Sequence, residues 1–261
     1  MKKIDKKIIL KTEGLSKHYG GVKALDNADF TLQNGEHIAI VGDNGAGKST
    51  FIRQITGVEI PTSGKIYFDG NLVNFKTPSD AKDAGIEAVY QNLALADDLD
   101  VPSNIFLGQE EIHFNLGPFS FLNEKKMFDK SIDVLSKTGI KIPDINIAMS
   151  NMSGGQRQCV AISRSAGFAS KLIIMDEPTA ALGVQETEQV ENIIKNLKSR
   201  GIPLIIISHN LRQVFDLVDK IWVFRQGKIV GSVDAATTNS NEVVSLITGI
   251  KHNVGEEASF I

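Results

Sequence analysis

Residues 42–49 form a glycine-rich loop and give the clearest chemical signal in this sequence. They match the pattern G-x-x-x-x-G-K-[ST] and lie between a short apolar run and a stretch with helical character. Glycines let the backbone approach phosphate groups closely, and N–H groups at the start of a helix stabilise their negative charge. Lys48 is expected to contact the β- and γ-phosphates, Ser49 to offer its hydroxyl to Mg²⁺, and Thr50 to donate to an inner phosphate. The predicted nucleotide contacts in the loop are Gly42, Asp43, Asn44, Gly45, Ala46, Gly47, Lys48, Ser49 and Thr50.

Two acidic residues and a histidine follow apolar runs further along the chain. Asp176 ends such a run, where an unpaired carboxylate is costly to bury, so it is the expected Mg²⁺ ligand beside Ser49. Glu177 is expected to face the γ-phosphate and to act as general base on the attacking water. His209 is expected to hydrogen-bond the γ-phosphate and hold that water in register. With Lys48 these residues predict an enzyme that hydrolyses its nucleotide; the alternatives are a solvated acidic pair and a structural histidine.

The elements that would position these residues alternate between strands and helices. Three short apolar runs fit buried strands, at residues 37–41, 172–175 and 204–207, and residues 88–90 fit another short strand. A helix follows the loop, from Lys48 to Ile55, and a later helix carries an apolar stripe and ends at Gly201. This alternation predicts an α/β fold with a mostly parallel sheet covered on both faces.

Two regions depart from the alternation. Residues 8–35 have the pattern of short strands and turns, and residues 64–70 add a strand that ends in a turn, which together predict an antiparallel β subdomain. Residues 93–150 carry apolar positions at helical spacing, which predicts a helical insertion between two strands of the core sheet. The remaining predicted elements are a hairpin at residues 221–224 and 229–230 and a short helix at residues 243–247.

Composition limits the class of protein. The chain has 261 residues, a net charge of −3 and one cysteine, Cys159, which is expected to be a small apolar filler on a helix. The charge offers no strong basic field for nucleic acid, so no nucleic-acid partner is expected. No run approaches the roughly 20 apolar residues that span a bilayer, so we expect a cytoplasmic protein whose membrane link comes through a partner.

Together the motifs resemble those of the nucleotide-binding subunits of ABC transporters. The matching segments are Gly42–Thr50 (Walker A), Met152–Gln156 (the family signature), Leu172–Glu177 (Walker B), Gln91 (the Q-loop glutamine), His209 (the switch histidine) and Tyr19 (the A-loop aromatic that stacks on adenine). The resemblance implies a P-loop NTPase core in one domain at residues 8–250. It places the inserted helical subdomain at about residues 93–168 and a tail at residues 251–261.

The resemblance also implies a mechanism. Two copies pair head to tail, and ATP held by Lys48 of one copy is capped by the signature of the other. The signature contacts would be Ser153, Gly154, Gly155 and Gln156. The glycines allow close approach, and Ser153 can cap the helix that follows, which directs its positive end at the γ-phosphate. Gln91 is implied as a further metal contact that also reports the nucleotide state to the segment nearest a membrane partner.

One departure from the family pattern lies after the Walker B segment. Residues 180–183 are Ala-Ala-Leu-Gly where the family has Ser-Ala-Leu-Asp, so Gly183 cannot make the side-chain contact across the dimer. The same Ala-Leu-Gly sequence, together with Tyr90–Leu95 and Glu242–Gly249, resembles segments in the ATPases of monosaccharide importers. This implies an ATPase that powers sugar import as a homodimer bound to integral-membrane permease subunits, on the inner face of the membrane. An external sugar-binding protein would be an indirect partner.

Three functions stay open from the sequence. The first is the sugar-import ATPase, and a variant of it is an ABC ATPase of another transporter class. The second is a soluble, non-transport ABC protein that acts on ribosomes or DNA, although fused paired domains, coiled-coil insertions and basic extensions are not visible. The third is a binding module that does not hydrolyse ATP, which intact Lys48, Asp176, Glu177 and His209 argue against.

Overall fold

The structure of the protein is a computed structural model that describes residues 7–116, 119–140, 142–168 and 171–250. The strands in these ranges are β1 (Ile8–Tyr19), β2 (Val22–Gln33), β3 (His37–Val41), β4 (Ser63–Phe68), β5 (Asn71–Val73), β6 (Ile86–Val89), β7 (Ile112–Leu116), β8 (Phe119–Leu122), β9 (Leu172–Asp176), β10 (Leu204–Ile207), β11 (Lys220–Arg225) and β12 (Lys228–Asp234). The helices are α1 (Lys48–Ile55), α2 (Pro78–Ala84), α3 (Val101–Ile105), α4 (Glu124–Thr138), α5 (Gly154–Phe168), α6 (Val184–Ser199), α7 (Leu211–Leu217) and α8 (Ser240–Thr248), with a short 3-10 helix at Met149–Asn151. The tail at residues 251–261 lies outside the described ranges.

The central sheet has the strand order β12-β11-β3-β10-β9-β6. All its neighbouring pairs are parallel except β11 with β12, which form an antiparallel hairpin. The α/β fold with a mostly parallel sheet is therefore confirmed, as are the three buried strands β3, β9 and β10 and the hairpin; the strand expected at residues 88–90 is β6, which ends at Val89. Because the strands are parallel, the carboxyl ends of β3, β9 and β10 meet at one edge, where the glycine-rich loop, Asp176 and His209 follow them.

The central strands β3, β9 and β10 are nearly continuous apolar runs because both of their faces are covered. On β3, Ile38 and Ile40 pack into the core that contains α1, whereas Ala39 and Val41 pack into the core that contains α5 and α6. The same alternation holds for β9 and β10. Phe51 of α1 is fully buried on the first face, so the helix that follows the glycine-rich loop is anchored against the sheet.

A separate antiparallel sheet has the order β2-β1-β4-β5. Its first two strands are each 12 residues long, so the expectation of short strands between residues 8 and 35 was wrong. Register shifts along the β1–β2 pair, for example between Thr12 and Leu15, break the alternation of apolar residues that marks a long strand in sequence. The antiparallel N-terminal sheet itself was expected and is confirmed.

The segment between β6 and β9 holds α3, α4, the 3-10 helix and α5. Their apolar faces form a third core cluster around Val101, Met127, Leu135, Met149 and Val160. The helical character was expected, but the antiparallel pair β7 and β8 inside this segment was not. Where the subdomain begins and ends stays a prediction.

His37 lies at the start of β3, at the end of the strand opposite the glycine-rich loop. It is fully buried, and its ring Nε2 lies 2.9 Å from the carbonyl oxygen of Ile202, so Nε2 carries the proton that is donated. Burial lowers the pKa of the imidazole to about 4, because a charged ring would lose its hydration there. His37 is thus neutral in the folded state, whereas in the unfolded state its imidazole is protonated below the ordinary pKa of 6.5.

We expect acid to destabilise the fold through this residue. A folded pKa below the unfolded value means that the unfolded chain binds the extra proton first. The free energy of unfolding therefore falls as pH decreases from 6.5 towards 4. Between about pH 7.5 and pH 5, the His37→Gln variant should lose about 2 kcal/mol less unfolding free energy than the parent protein. Urea unfolding at the two pH values measures this, and an unchanged pH dependence would contradict it.

Candidate functional site

A cavity of about 840 Å³ lies at the carboxyl edge of the central sheet. The glycine-rich loop forms one wall, and residues that follow β9 and β10 form the other. The described residues that line it are Ala24, residues 42–50, Gln91, Asp176, Glu177, Ala180, Ile207 and His209. The fold therefore brings all the predicted loop residues together with Gln91, Asp176, Glu177 and His209.

The path of the loop requires glycine at two of its positions. Gly42 has a φ of 147°, and a Cβ added there would overlap the carbonyl oxygen of Phe224 on β11. Gly47 has a φ of 100°, and a Cβ added there would lie 2.8 Å from the carbonyl oxygen of Ala24 on β2. The loop is thus pressed against backbone on both sides, so its path is fixed by residues that have no side chain at these two positions.

Lys48, the first residue of α1, turns its side chain back over the loop. Its ammonium group donates to the carbonyl oxygens of Gly42 at 2.6 Å and of Asp43 at 2.9 Å. Burial lowers the pKa of Lys48, and the nearby carboxylates of Glu177 and Asp176 oppose that shift. The arrangement places a positive charge over the cavity floor, where a phosphate group could replace the two carbonyl contacts.

Asp176 and Glu177 bring two carboxylates to the same edge. Burial raises the pKa of Asp176, and the charge of Glu177 raises it further, whereas Lys48 acts in the opposite direction. Within the described residues the Asp176 carboxylate forms no side-chain hydrogen bond or ion pair with a partner. A carboxylate in this position favours a cation beside it.

Glu177 is held in an uncommon backbone conformation. Its φ is 52°, in the left-handed region, which costs a residue with a side chain about 1–3 kcal/mol. Its N–H donates to the carbonyl oxygen of Ile207 at 2.9 Å, and its Oε1 lies 2.8 Å from Nδ1 of His209. The fold thus holds Glu177 in a strained backbone conformation and pairs its carboxylate with an exposed imidazole at the cavity mouth.

The signature residues lie elsewhere. None of residues 152–156 is among the described residues that line the cavity. Ser153 caps α5 as expected, because its hydroxyl accepts from the N–H of Gln156 at 3.3 Å. In return the Gln156 side chain accepts from the N–H of Ser153 at 3.0 Å. Ser153 and Gly154 are exposed, so the start of α5 is open to solvent.

Tyr19 also lies outside the lining. It ends β1, its ring is 45% exposed, and its hydroxyl hydrogen-bonds the carboxylate of Glu59. The ammonium of Lys17 sits 5.3 Å from the ring centre. The contact of Tyr19 with adenine therefore stays a prediction.

Sequence reasoning missed some residues of this site. Ala24 and Ala180 line the cavity, but an alanine carries no chemical signal in a sequence. Glu186 accepts hydrogen bonds from the N–H groups of Gly155 and Gly183. Its position three residues after a helix start is a capping signal that could have identified it.

Comparison with known proteins agrees with this fold. The family model described as "ABC transporter" matches residues 25–180. A xylose/arabinose import ATP-binding protein of Sulfolobus acidocaldarius is 43% identical over 252 residues, which cover 95% of this chain and 98% of the relative. A fructose import ATP-binding protein of Rhizobium meliloti is 44% identical over 246 residues, which cover 93% and 95%. The ADP conformation of an ATP-binding cassette of an ABC transporter superposes with a TM-score of 0.78 at 27% identity, over 95% of this chain and 99% of that one.

The chain belongs to the ABC transporter family. Within that family it is an ATP-binding cassette ATPase, which binds ATP and ADP and hydrolyses ATP. Among the described residues, no helix is long and apolar enough to cross a bilayer.

The close approach of the loop to β11 leads to a prediction. Gly42→Ala should lower the free energy of unfolding by about 2–4 kcal/mol and weaken ATP binding, because the new methyl group meets backbone that cannot rotate away. Gly45→Ala is the matched control, since its φ is 78° but no atom lies within 4 Å of the added Cβ. It should cost only about 1–2 kcal/mol. Equal losses in urea unfolding would show that backbone overlap is not the cause.

Proposed function

We propose that this chain is the ATPase subunit of an ABC importer that moves a monosaccharide across a membrane. The cavity that joins the glycine-rich loop to the Glu177–His209 pair carries the ATPase part of the proposal. The sugar is supported by the relatives, which are named as import proteins for xylose or arabinose and for fructose and have nearly the same length as this chain.

Nucleotide binding starts at the loop. The backbone N–H groups of residues 42–49 and the N-terminus of α1 hold the phosphates, and Lys48 moves from its two carbonyl partners to the β- and γ-phosphates. Thr50 donates to an inner phosphate. Tyr19 offers a partly exposed ring on which adenine can stack, and its hydrogen bond to Glu59 fixes the ring at the end of β1.

The residues present also fit Mg²⁺. Ser49, Gln91 and Asp176 line the same cavity and provide a hydroxyl, an amide oxygen and a carboxylate, the oxygen donors that this ion prefers. The cation-favouring position of the Asp176 carboxylate supports this assignment. When bound, the ion neutralises part of the charge on the β- and γ-phosphates.

Hydrolysis is carried by Glu177. Its carboxylate accepts a proton from a water whose oxygen attacks the γ-phosphorus, and the bond from that phosphorus to the bridging oxygen breaks to release ADP. His209 holds the Glu177 carboxylate through the 2.8 Å contact at Nδ1 and leaves Nε2 free to reach the γ-phosphate. Lys48 stabilises the charge that develops on the transferred group.

The open start of α5 supports a second copy of the chain as the partner. Ser153, Gly154, Gly155 and Gln156 do not line the cavity of their own chain, yet Ser153 and Gly154 are exposed. In a head-to-tail pair they would cap the γ-phosphate held by the other copy, with the N-terminus of α5 directed at it. Each chain then holds two separated halves of an ATP site.

Replacing the general base tests the ATPase assignment. Glu177→Gln should bind ATP, form a stable pair in its presence and hydrolyse it at least about a hundredfold more slowly, because the amide cannot accept the proton. Turnover of ATP and light scattering with ATP measure the two effects.

Gly154→Asp is the companion variant: it has room in the monomer, since the nearest side-chain atom lies 3.9 Å from the added Cβ, but its charge opposes the phosphate. It should bind ATP as a monomer and fail to pair.

The transport part of the proposal has its own test. A transporter ATPase works in the cytoplasm at the inner face of the membrane, bound to integral-membrane permease subunits that receive sugar from an external binding protein. Tagged protein isolated from its native membrane should retain an integral-membrane partner, and Glu177→Gln should abolish uptake of the cognate monosaccharide by those cells. Recovery with ribosomes or DNA and no membrane partner would instead favour a non-transport role.

A further inference from the structure

One carboxylate joins the starts of two helices on the face that carries the signature. Glu186 lies in the first turn of α6, and its Oε2 accepts from the N–H of Gly183, the residue before that helix, at 3.0 Å. Its Oε1 accepts from the N–H of Gly155, in the first turn of α5, at 3.3 Å. A single side chain thus satisfies backbone donors from two segments that are 28 residues or more apart in sequence.

The packing of Gly155 shows how closely the two helices meet here. A Cβ added to Gly155 would lie 2.5 Å from Cγ and 2.6 Å from Cβ of Glu186. The Cβ of Glu186 is fixed by the backbone of α6, so a change of side-chain rotamer cannot relieve this overlap. The second glycine of the signature is therefore required by its own chain, whatever it meets in a partner.

The charge of Glu186 suits this position. Hydrogen bonds from the Gly183 N–H, then the Ser153 hydroxyl and then the Gly155 N–H lower the pKa of this carboxyl, so it is ionised at neutral pH. A negative charge at the N-termini of both α5 and α6 is also favoured by their dipoles. The contact is a charge-assisted link and not only a steric one.

The link reaches the nucleotide cavity through a short piece of chain. Glu177 and Ala180 line the cavity, and the segment from Glu177 runs directly to Gly183, whose N–H Glu186 holds. We infer that Glu186 is a positioning residue that fixes the signature loop to this segment, so that the cavity and the signature of one chain move as a unit towards a second copy. Gly183 has no side chain for such a link, and the carboxylate of Glu186 in the first turn of α6 provides it. This inference rests on the proposed function, because it needs two chains that share ATP.

The test compares variants in a Glu177→Gln background, where ATP-driven pairing can be measured without hydrolysis. Glu186→Ala should weaken pairing about tenfold, which corresponds to the loss of charge-assisted hydrogen bonds. Glu186→Gln should weaken it less, because one amide oxygen can accept from only one of the two N–H groups. Glu188→Gln is the matched control on the same helix: Glu188 is exposed and should change nothing. ADP affinity of each monomer should stay within about twofold of the parent, since Glu186 does not line the cavity.

A second readout follows the contact directly. Hydrogen exchange in nucleotide-free protein should be faster at the amides of Gly155 and Gly183 in Glu186→Ala, and unchanged in Glu188→Gln. Equal pairing and equal exchange in Glu186→Ala and its parent would overturn the inference. So would a loss of pairing with a parallel loss of ADP affinity and thermal stability, which indicates general damage. Failure of the proposed function is distinguishable: the Glu177→Gln parent then stays monomeric in ATP, and the inference falls with it.

Discussion

The close packing of the glycine-rich loop against backbone is the constraint on which the site depends. Gly42 lies against the carbonyl of Phe224 on β11, and Gly47 against that of Ala24 on β2. The N–H of Gly227, between β11 and β12, donates to the carbonyl oxygen of Ala46 at 3.0 Å. The antiparallel sheet, the central sheet and the final hairpin therefore meet at one loop, and contacts from all three fix its path.

The charged side chains in the cavity are the second constraint on the site. The parallel sheet places Asp176 and Glu177 at the edge where Lys48 lies. Two negative charges and one positive charge therefore share a partly buried cavity. Burial disfavours the charged forms of Asp176 and Lys48 alike, which is why their pKa values move towards neutrality from opposite sides. The proposed ligand, ATP with Mg²⁺, would bring both phosphate charge and a cation and so pair all three groups.

Local patterns predicted those parts of the molecule in which one short segment determines the structure. The loop, the buried strands and the cap by Ser153 belong to this class. The long strands β1 and β2 do not, because bulges displace their apolar residues from simple alternation. The separation of residues 152–156 from the cavity of their own chain was expected only from the family resemblance, because no local pattern shows how α5 packs against α6. Tyr19 is a similar case, since its contact with Glu59 joins positions 40 residues apart.

The two glycines next to Glu186 are constrained for different reasons. At Gly155 an added Cβ would meet the root of the Glu186 side chain, so the packing of α5 on α6 forbids any other residue. At Gly183 an added Cβ would meet only Oε2 of Glu186, at 3.5 Å, and its φ of −69° suits any residue. Packing within the chain therefore accounts for the glycine of the signature, but it does not account for Gly183.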